Sequence, residues 1–141
     1  MFDKLIVAVD SSAPSDRAVN AARDLAATSG GSVHLIHVVE HATLPSGRFA
    51  GGFDVEDPED AEKILEKELA TLKEAGVPVT ANVVRARVGH TAQTIVEAAS
   101  SDAADVIVMG SRGRSGLAAL VLGSTAFKVL HLADRPVIIV P

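Results

Sequence analysis

Between positions 110 and 124 the sequence reads Gly-Ser-Arg-Gly, nine further residues, then Gly-Ser, a G-x2-G-x9-G-S spacing that runs directly into a helical pattern. Residues of these types suit phosphate. Glycines let backbone N–H groups approach phosphate oxygens, a serine hydroxyl at the N-cap of a helix adds a donor, and the positive end of the helix favours an anion. Arg112 and Arg114 add local positive charge. For any single glycine a turn or a helix cap is the ordinary reading, so the joint spacing and its place in the fold carry the weight. Asp10 closes the first apolar run, where a carboxylate bonds a nucleotide or orients Mg²⁺, or else caps a helix. His34 and His37 fall on opposite faces of a strand, and no metal cluster is expected from them or His41. Neither G-x4-G-K-[ST] nor a G-x-G-x-x-G after the first strand is present. Ser29-Gly30-Gly31-Ser32 precedes a strand, which makes it a helix C-cap rather than a phosphate loop.

The elements that must position these residues alternate along the chain. Lys4 to Asp10 form a near-continuous apolar run, the signature of a parallel strand buried on both faces. Serines at 11, 12 and 15 offer N-caps, Pro14 suits an early helical position, and Ala18, Ala21, Ala22, Leu25 and Ala26 form an apolar face. Residues 32–39 are β-rich, and residues 40–57, with Pro45, Gly47, Gly51 and Gly52, dissolve into a long loop. A second helix follows Pro58, then an alternating strand over 79–87 with one wetter face, then a helix whose buried stripe is Ala92, Ile95, Val96 and Ala99. Residues 105–110 are a second doubly buried strand; Ser124 is expected to cap a helix reaching about Ala133, and 136–140 form the last strand. This β-α alternation predicts an α/β, three-layer, doubly wound sheet of five parallel strands in the order 3-2-1-4-5, with the first and fourth at the centre. Ligands of such sheets bind outside the carboxyl ends of the strands, where the order reverses. Asp10 and Gly110 lie at those ends.

With 141 residues the chain has the length of one domain, and with no cysteine it has neither disulfides nor thiolate sites. A formal charge of −5 and four Phe without Trp or Tyr argue against nucleic acid as a partner. No apolar run reaches the roughly 18 residues of a membrane span, and the start Met1-Phe2-Asp3-Lys4 enters a strand at once; the expectation is a soluble, cytoplasmic protein without membrane contact.

At this point the chain resembles the universal stress proteins, in their ATP-binding branch, over essentially its whole length. The resemblance rests on the opening strand 4–10, His37-Val38, Val88-Gly89, Met109-Gly110-Ser111-Arg112-Gly113, Gly123-Ser124-Thr125 and the closing run 135–141. It implies a Rossmann-like fold of the adenine nucleotide alpha hydrolase type. It further implies that Ala8, Asp10 and Val38 line an adenine and ribose pocket with Met109, that Gly110 approaches the ribose, and that Arg112, Gly113, Gly123, Ser124 and Thr125 hold the phosphates of ATP, ADP or AMP with Mg²⁺. Ala8 stands where some ATP-binding relatives have proline, and residues 116–122 are strongly aliphatic.

Spacing alone assigns no catalytic base, so hydrolysis is expected to be slow at most. The expected function is a nucleotide-dependent regulatory or stress-response protein in which ATP biases the loop 111–122 toward or away from a regulatory protein partner. The alternative is a homodimeric interaction module, paired through the apolar strand at 136–141.

Overall fold

In the computed structural model, which describes residues 2–44, 51–112 and 122–141, the expected alternation is present with one addition. The order is β1 (Lys4–Ala8), α1 (Ala13–Ser29), β2 (Ser32–Leu44), β3 (Gly51–Asp54), α2 (Pro58–Glu74), β4 (Val79–Arg87), α3 (Thr91–Ser101), β5 (Val106–Gly110), α4 (Ser124–Leu132) and β6 (Val137–Val140). Five strands pair in parallel as β4-β2-β1-β5-β6, which is the 3-2-1-4-5 order read from the sequence. The sixth, β3, is antiparallel to the far end of β2, with His41 opposite Asp54 and Leu44 opposite Gly51.

Each face of the sheet carries its own core. Leu5, Val7, Val33, Leu35, Val106 and Val108 pack with Ala18, Val19, Ala22 and Ala26 of α1 and Leu65 and Leu72 of α2. The opposite parity, Ile6, Ile36, Ile107 and Met109, packs with Ala92, Ile95 and Ala99 of α3 and Ala126 and Val129 of α4. All five residues of β5 are buried, as a strand covered by helices on both sides requires. At roughly 1.5–3 kcal/mol per fully buried aliphatic side chain, the burial of β1, β2 and β5 makes the central strands the main resistance to unfolding.

Helix ends follow the local chemistry. Ser12 is the N-cap of α1, its hydroxyl accepting from Ser15 N, and Gly30 ends the helix at φ 72°, so the reading of Ser29 to Ser32 as a C-cap holds. Gly31 is glycine for a different reason: a Cβ there would lie 2.6 Å from the carbonyl oxygen of Phe2.

Two expectations needed correction. Residues 40–57 are not a long loop throughout, because β2 runs on to Leu44 and β3 returns from Gly51. The hairpin is held by side chains: His41 Nδ1 meets Asp54 Oδ1 at 2.8 Å, and Arg85 of β4 donates to Asp54 Oδ2 at 2.8 Å. The hydrogen bond with His41, followed by Arg85, holds the Asp54 carboxyl below its ordinary range. Gly51 and Gly52 masked the strand in the sequence, yet at 52 only glycine fits, since a Cβ would collide with the His41 ring. The second correction concerns α4, where Gly123, not Ser124, occupies the N-cap in extended backbone and Ser124 is the first helical residue.

Candidate functional site

β1 ends where β2 continues. The last parallel bond between them runs from Val9 N to the Ile36 carbonyl (2.9 Å), and the same side of β2 is next engaged at Glu40, whose carbonyl accepts from Val55 N (2.8 Å). Backbone groups two residues apart on a strand point the same way. Val38, between those two bonds, therefore turns its N–H and C=O toward the gap left by the end of β1. A continuing ladder would bond Val38 N–H to the Val9 carbonyl, but that oxygen is taken by His37 Nδ1 at 2.6 Å. The gap is a break in the sheet edge with one donor and one acceptor side by side.

A cleft of about 390 Å³ opens on this gap. Ala8, Asp10, Val38, Met109, Gly110, Arg112, Gly123, Ser124 and Thr125 all line it, so the structure brings together nine of the ten positions singled out from sequence. The tenth, Gly113, lies outside the described residues, as do Arg114 and most of the x9 segment. A broader surface depression of about 560 Å³ over β2 and β4, lined by His34, Asn82 and Asp102, contains none of these residues.

The turn after β1 is tightly made. Asp10 Oδ1 accepts from Ser12 N (3.0 Å), the buried Ser15 hydroxyl accepts from Asp10 N (3.0 Å), and Ser12 Oγ donates to the Arg112 carbonyl (3.3 Å). Ser11 between them has φ 68°, a left-handed conformation that a non-glycine residue adopts at a cost and that recurs at functional turns. Asp10 thus shapes the turn and faces the cleft, while the capping role belongs to Ser12. Across the cleft, Ser111 N donates to the Val140 carbonyl and Gly123 N to the Ser111 carbonyl, each at 2.7 Å. These bonds set the first turn of α4 beside the end of β5, its positive pole at the cleft.

Gly110 has a structural reason to be glycine. A Cβ there would lie 2.9 Å from Pro14 C and from Ser15 N, so the backbone of α1 already fills the space. Phosphate approach is not what excludes a side chain at 110.

Sequence reasoning missed the wall made by β2 and the segment after β3. His37, Glu40, Val55, Glu56, Thr91 and Ile95 also line the cleft. Glu40 accepts from Gly89 N (3.0 Å) and Thr91 Oγ1 (3.2 Å), fixing the turn into α3. His37 is 3% exposed and its Nε2 lies 2.6 Å from Glu56 Oε2. The one available signal was an imidazole at 37 on an otherwise apolar strand face. The three β2 histidines go to separate partners: His34 to Asp102 and Asn82, His37 to Val9 and Glu56, His41 to Asp54.

Comparison with known proteins agrees with this architecture. The profile of the Universal stress protein family matches residues 1–141. The universal stress protein YxiE of Bacillus subtilis is 34% identical over 150 residues, covering 99% of this chain and 99% of that protein. A solved universal stress protein structure from Archaeoglobus fulgidus superposes with a TM-score of 0.77 at 27% identity, covering 100% of both chains. A second structure from that organism, in complex with dAMP, gives 0.73 at 24% identity over 100% of both chains. Another, a universal stress protein in complex with cAMP, gives 0.71 at 23% identity over 99% of this chain and 97% of that one. The chain belongs to the universal stress protein family.

Proposed function

We propose that the cleft binds an adenine nucleotide and that the protein is a nucleotide-dependent regulator of the stress-response type, with at most slow ATP hydrolysis. The carrying observation is the break in the β2 edge at Val38, which shares one cleft with the first turn of α4. An N–H and a C=O side by side complement the ring nitrogen and exocyclic amine of adenine, and the helix N-terminus suits phosphate. The cleft volume is within the range of small-molecule sites. Two of the solved neighbours are complexes with an adenine nucleotide, dAMP in one and cAMP in the other. In this reading Ala8 and Met109 flank the base and Asp10 and Gly110 the ribose. Arg112, Gly113, Gly123, Ser124 and Thr125 receive the phosphates, and Mg²⁺ would be held by those phosphates, with Asp10 of the cleft lining as the candidate carboxylate. The cleft's other carboxylates, Glu40 and Glu56, are engaged with Thr91 and His37, so no free base is assigned to a hydrolytic water.

Isothermal titration with ATP and Mg²⁺ tests this. The expected result is saturable heat, with an affinity that Gly123→Val weakens by roughly tenfold or more, since a branched side chain at the N-cap of α4 crowds the phosphates. No saturable heat, or unchanged affinity in the variant, would overturn it.

A second reading is favoured by a separate observation. Among the described residues β6 pairs with β5 alone, its four residues are only half-buried, and Phe127, Leu130 and Leu132 of the neighbouring α4 are exposed. This apolar edge supports a homodimer through residues 136–141. Light scattering with and without ATP separates a dimer that depends on nucleotide from a constitutive one.

A further inference from the structure

We propose that the crevice between the ends of β1 and β5 is a subsite for one sugar hydroxyl of the ligand, with the Ser15 hydroxyl as its donor and the Gly110 carbonyl as its acceptor. The proposal rests on the nucleotide reading for the identity of the ligand and deepens it by giving Ser15 a part in binding.

Strand register puts the two groups together. Ile107 N donates to the Pro136 carbonyl and Ser111 N to the Val140 carbonyl, so the odd residues here turn their backbone groups toward β6. Gly110, of the opposite parity, turns its C=O toward β1. On β1, Val9 N donates to Ile36 of β2, so Asp10 N turns the other way, toward β5. With Ala8 opposite Met109, one more rung of the parallel ladder would join Asp10 N–H to the Gly110 carbonyl. Ser15 takes that rung instead, its Oγ accepting from Asp10 N at 3.0 Å. The Gly110 carbonyl is left without a donor among the described residues. Ser15 stands beside it, because its backbone N lies 2.9 Å from where a Cβ of Gly110 would be.

The Ser15 hydroxyl is also half used. A serine hydroxyl accepts and in addition donates one hydrogen. Ser12 spends both capacities, accepting from Ser15 N and donating to the Arg112 carbonyl. Ser15 accepts from Asp10 N, and among the described residues no acceptor takes its hydrogen. Ser15 is 2% exposed and Gly110 is buried, yet both line the cleft. A buried donor and a buried acceptor left open side by side cost free energy until a ligand group satisfies them. A hydroxyl does so by accepting from Ser15 and donating to Gly110. A phosphate oxygen does not, since it would face the carbonyl acceptor to acceptor. The Val38 gap lies on the other side of the end of β1, so the two subsites flank that end as the base and sugar of one nucleoside require.

Isothermal titration of the wild type and of Ser15→Ala with AMP, 2′-deoxy-AMP and 3′-deoxy-AMP tests this. One deoxy analogue is expected to bind the wild type about tenfold more weakly than AMP, and its identity tells which hydroxyl is read. In Ser15→Ala that ratio is expected to shrink to about threefold or less, because the hydroxyl then has only the Gly110 carbonyl. A ratio unchanged by the substitution, with all three ligands weakened alike, would overturn the role of Ser15 and leave it a residue of the turn. Equal wild-type affinities for the three ligands would overturn the subsite and leave the nucleotide reading standing. Alanine also strands the Asp10 N–H, so Ser15→Cys, of nearly the same shape but a weak donor, gives the same reading where alanine does not fold: a smaller ratio supports the subsite, and the wild-type ratio overturns it. Saturable binding of none of the three by the wild type overturns the nucleotide reading and this subsite with it.

Discussion

Replacing Glu68 with Gln should make the protein more stable at alkaline pH and leave it unchanged near about pH 5. Glu68 sits on α2 at 4% exposure, facing Asp16 in the first turn of α1. Lys67 Nζ lies 3.1 Å from Asp16 Oδ2 but 3.9 Å from Glu68 Oε1, and Asp16 Oδ1 is shielded from water with no ordinary donor. A protonated Glu68 supplies that donor. Burial, then the hydrogen bond and charge of Asp16, push the Glu68 carboxyl up to about 7, with Lys67 opposing. Burial also pushes Asp16 upward, but the hydrogen bonds from Glu68 and Lys67 outweigh it and hold Asp16 below the usual carboxylate range. The two shifts agree on one proton, resident on Glu68.

The sign follows from proton counts. In the unfolded chain Glu68 loses its proton near 4.5, so between there and about 7 the folded state holds more protons and stability falls as pH rises. The span at about 1.36 kcal/mol per pH unit gives a ceiling of about 3 kcal/mol. Lys67 is 64% exposed, so solvent reaches one side of the pair and about 1–2 kcal/mol is the expected size. Gln keeps the volume and donates to Asp16 without titrating. Urea titrations of both proteins from about pH 5 to about pH 8.5 should therefore give equal stabilities at the low end and a gap of about 1–2 kcal/mol in favour of Glu68→Gln at the high end. Parallel curves, or a variant less stable at the high end, would refute the shared proton.

Gly110→Ala places a Cβ 2.9 Å from the backbone of Pro14 and Ser15; helix backbone cannot yield cheaply, and about 1–3 kcal/mol is lost, read as a drop of several degrees in melting temperature. The same substitution should shift the turn at Asp10 and weaken nucleotide binding, whereas unchanged stability would mean that α1 is not packed as described. Arg135→Ala removes Nη1 bonds to the Ala99 and Ala104 carbonyls and an Nη2 bond to Ser100 Oγ, which secure the C-terminus of α3. About 2 kcal/mol of stability should go, and Arg135→Lys should restore less than half of it because a single ammonium cannot span the three acceptors. Acidification should loosen the β2–β3 hairpin first, since the Asp54 carboxyl is held below its ordinary value of 3.8 and its contribution vanishes as pH falls through the lowered value; amide exchange at 41–44 and 51–54 reads this.

The sheet was legible because its information is local. The middle of β1, Leu5 to Val7, and all of β5 are buried on both faces, so those positions had to be apolar, and Lys4 at the strand's start did not obscure the run. The hairpin was illegible for the opposite reason: β3 is held by His41, Asp54 and Arg85, three residues from three strands whose meeting no spacing announces, and its own Gly51 and Gly52 read as loop. The cleft divides the same way. Asp10, Gly110 and Gly123 stood out because the chain must turn at the carboxyl ends of β1 and β5 and enter α4, and turns constrain residue type. Val38 offers only its backbone, and nothing in a valine reports that β1 stops one rung short of it. The resemblance to relatives singled it out, while the reason lies in the register of β1 against β2 and in the Val9 carbonyl that His37 occupies. Gly110 shows the converse error. The sequence offers it as part of a phosphate-binding spacing, whereas in the fold the space a side chain would need is taken by α1, so this glycine lets a helix close over the sheet.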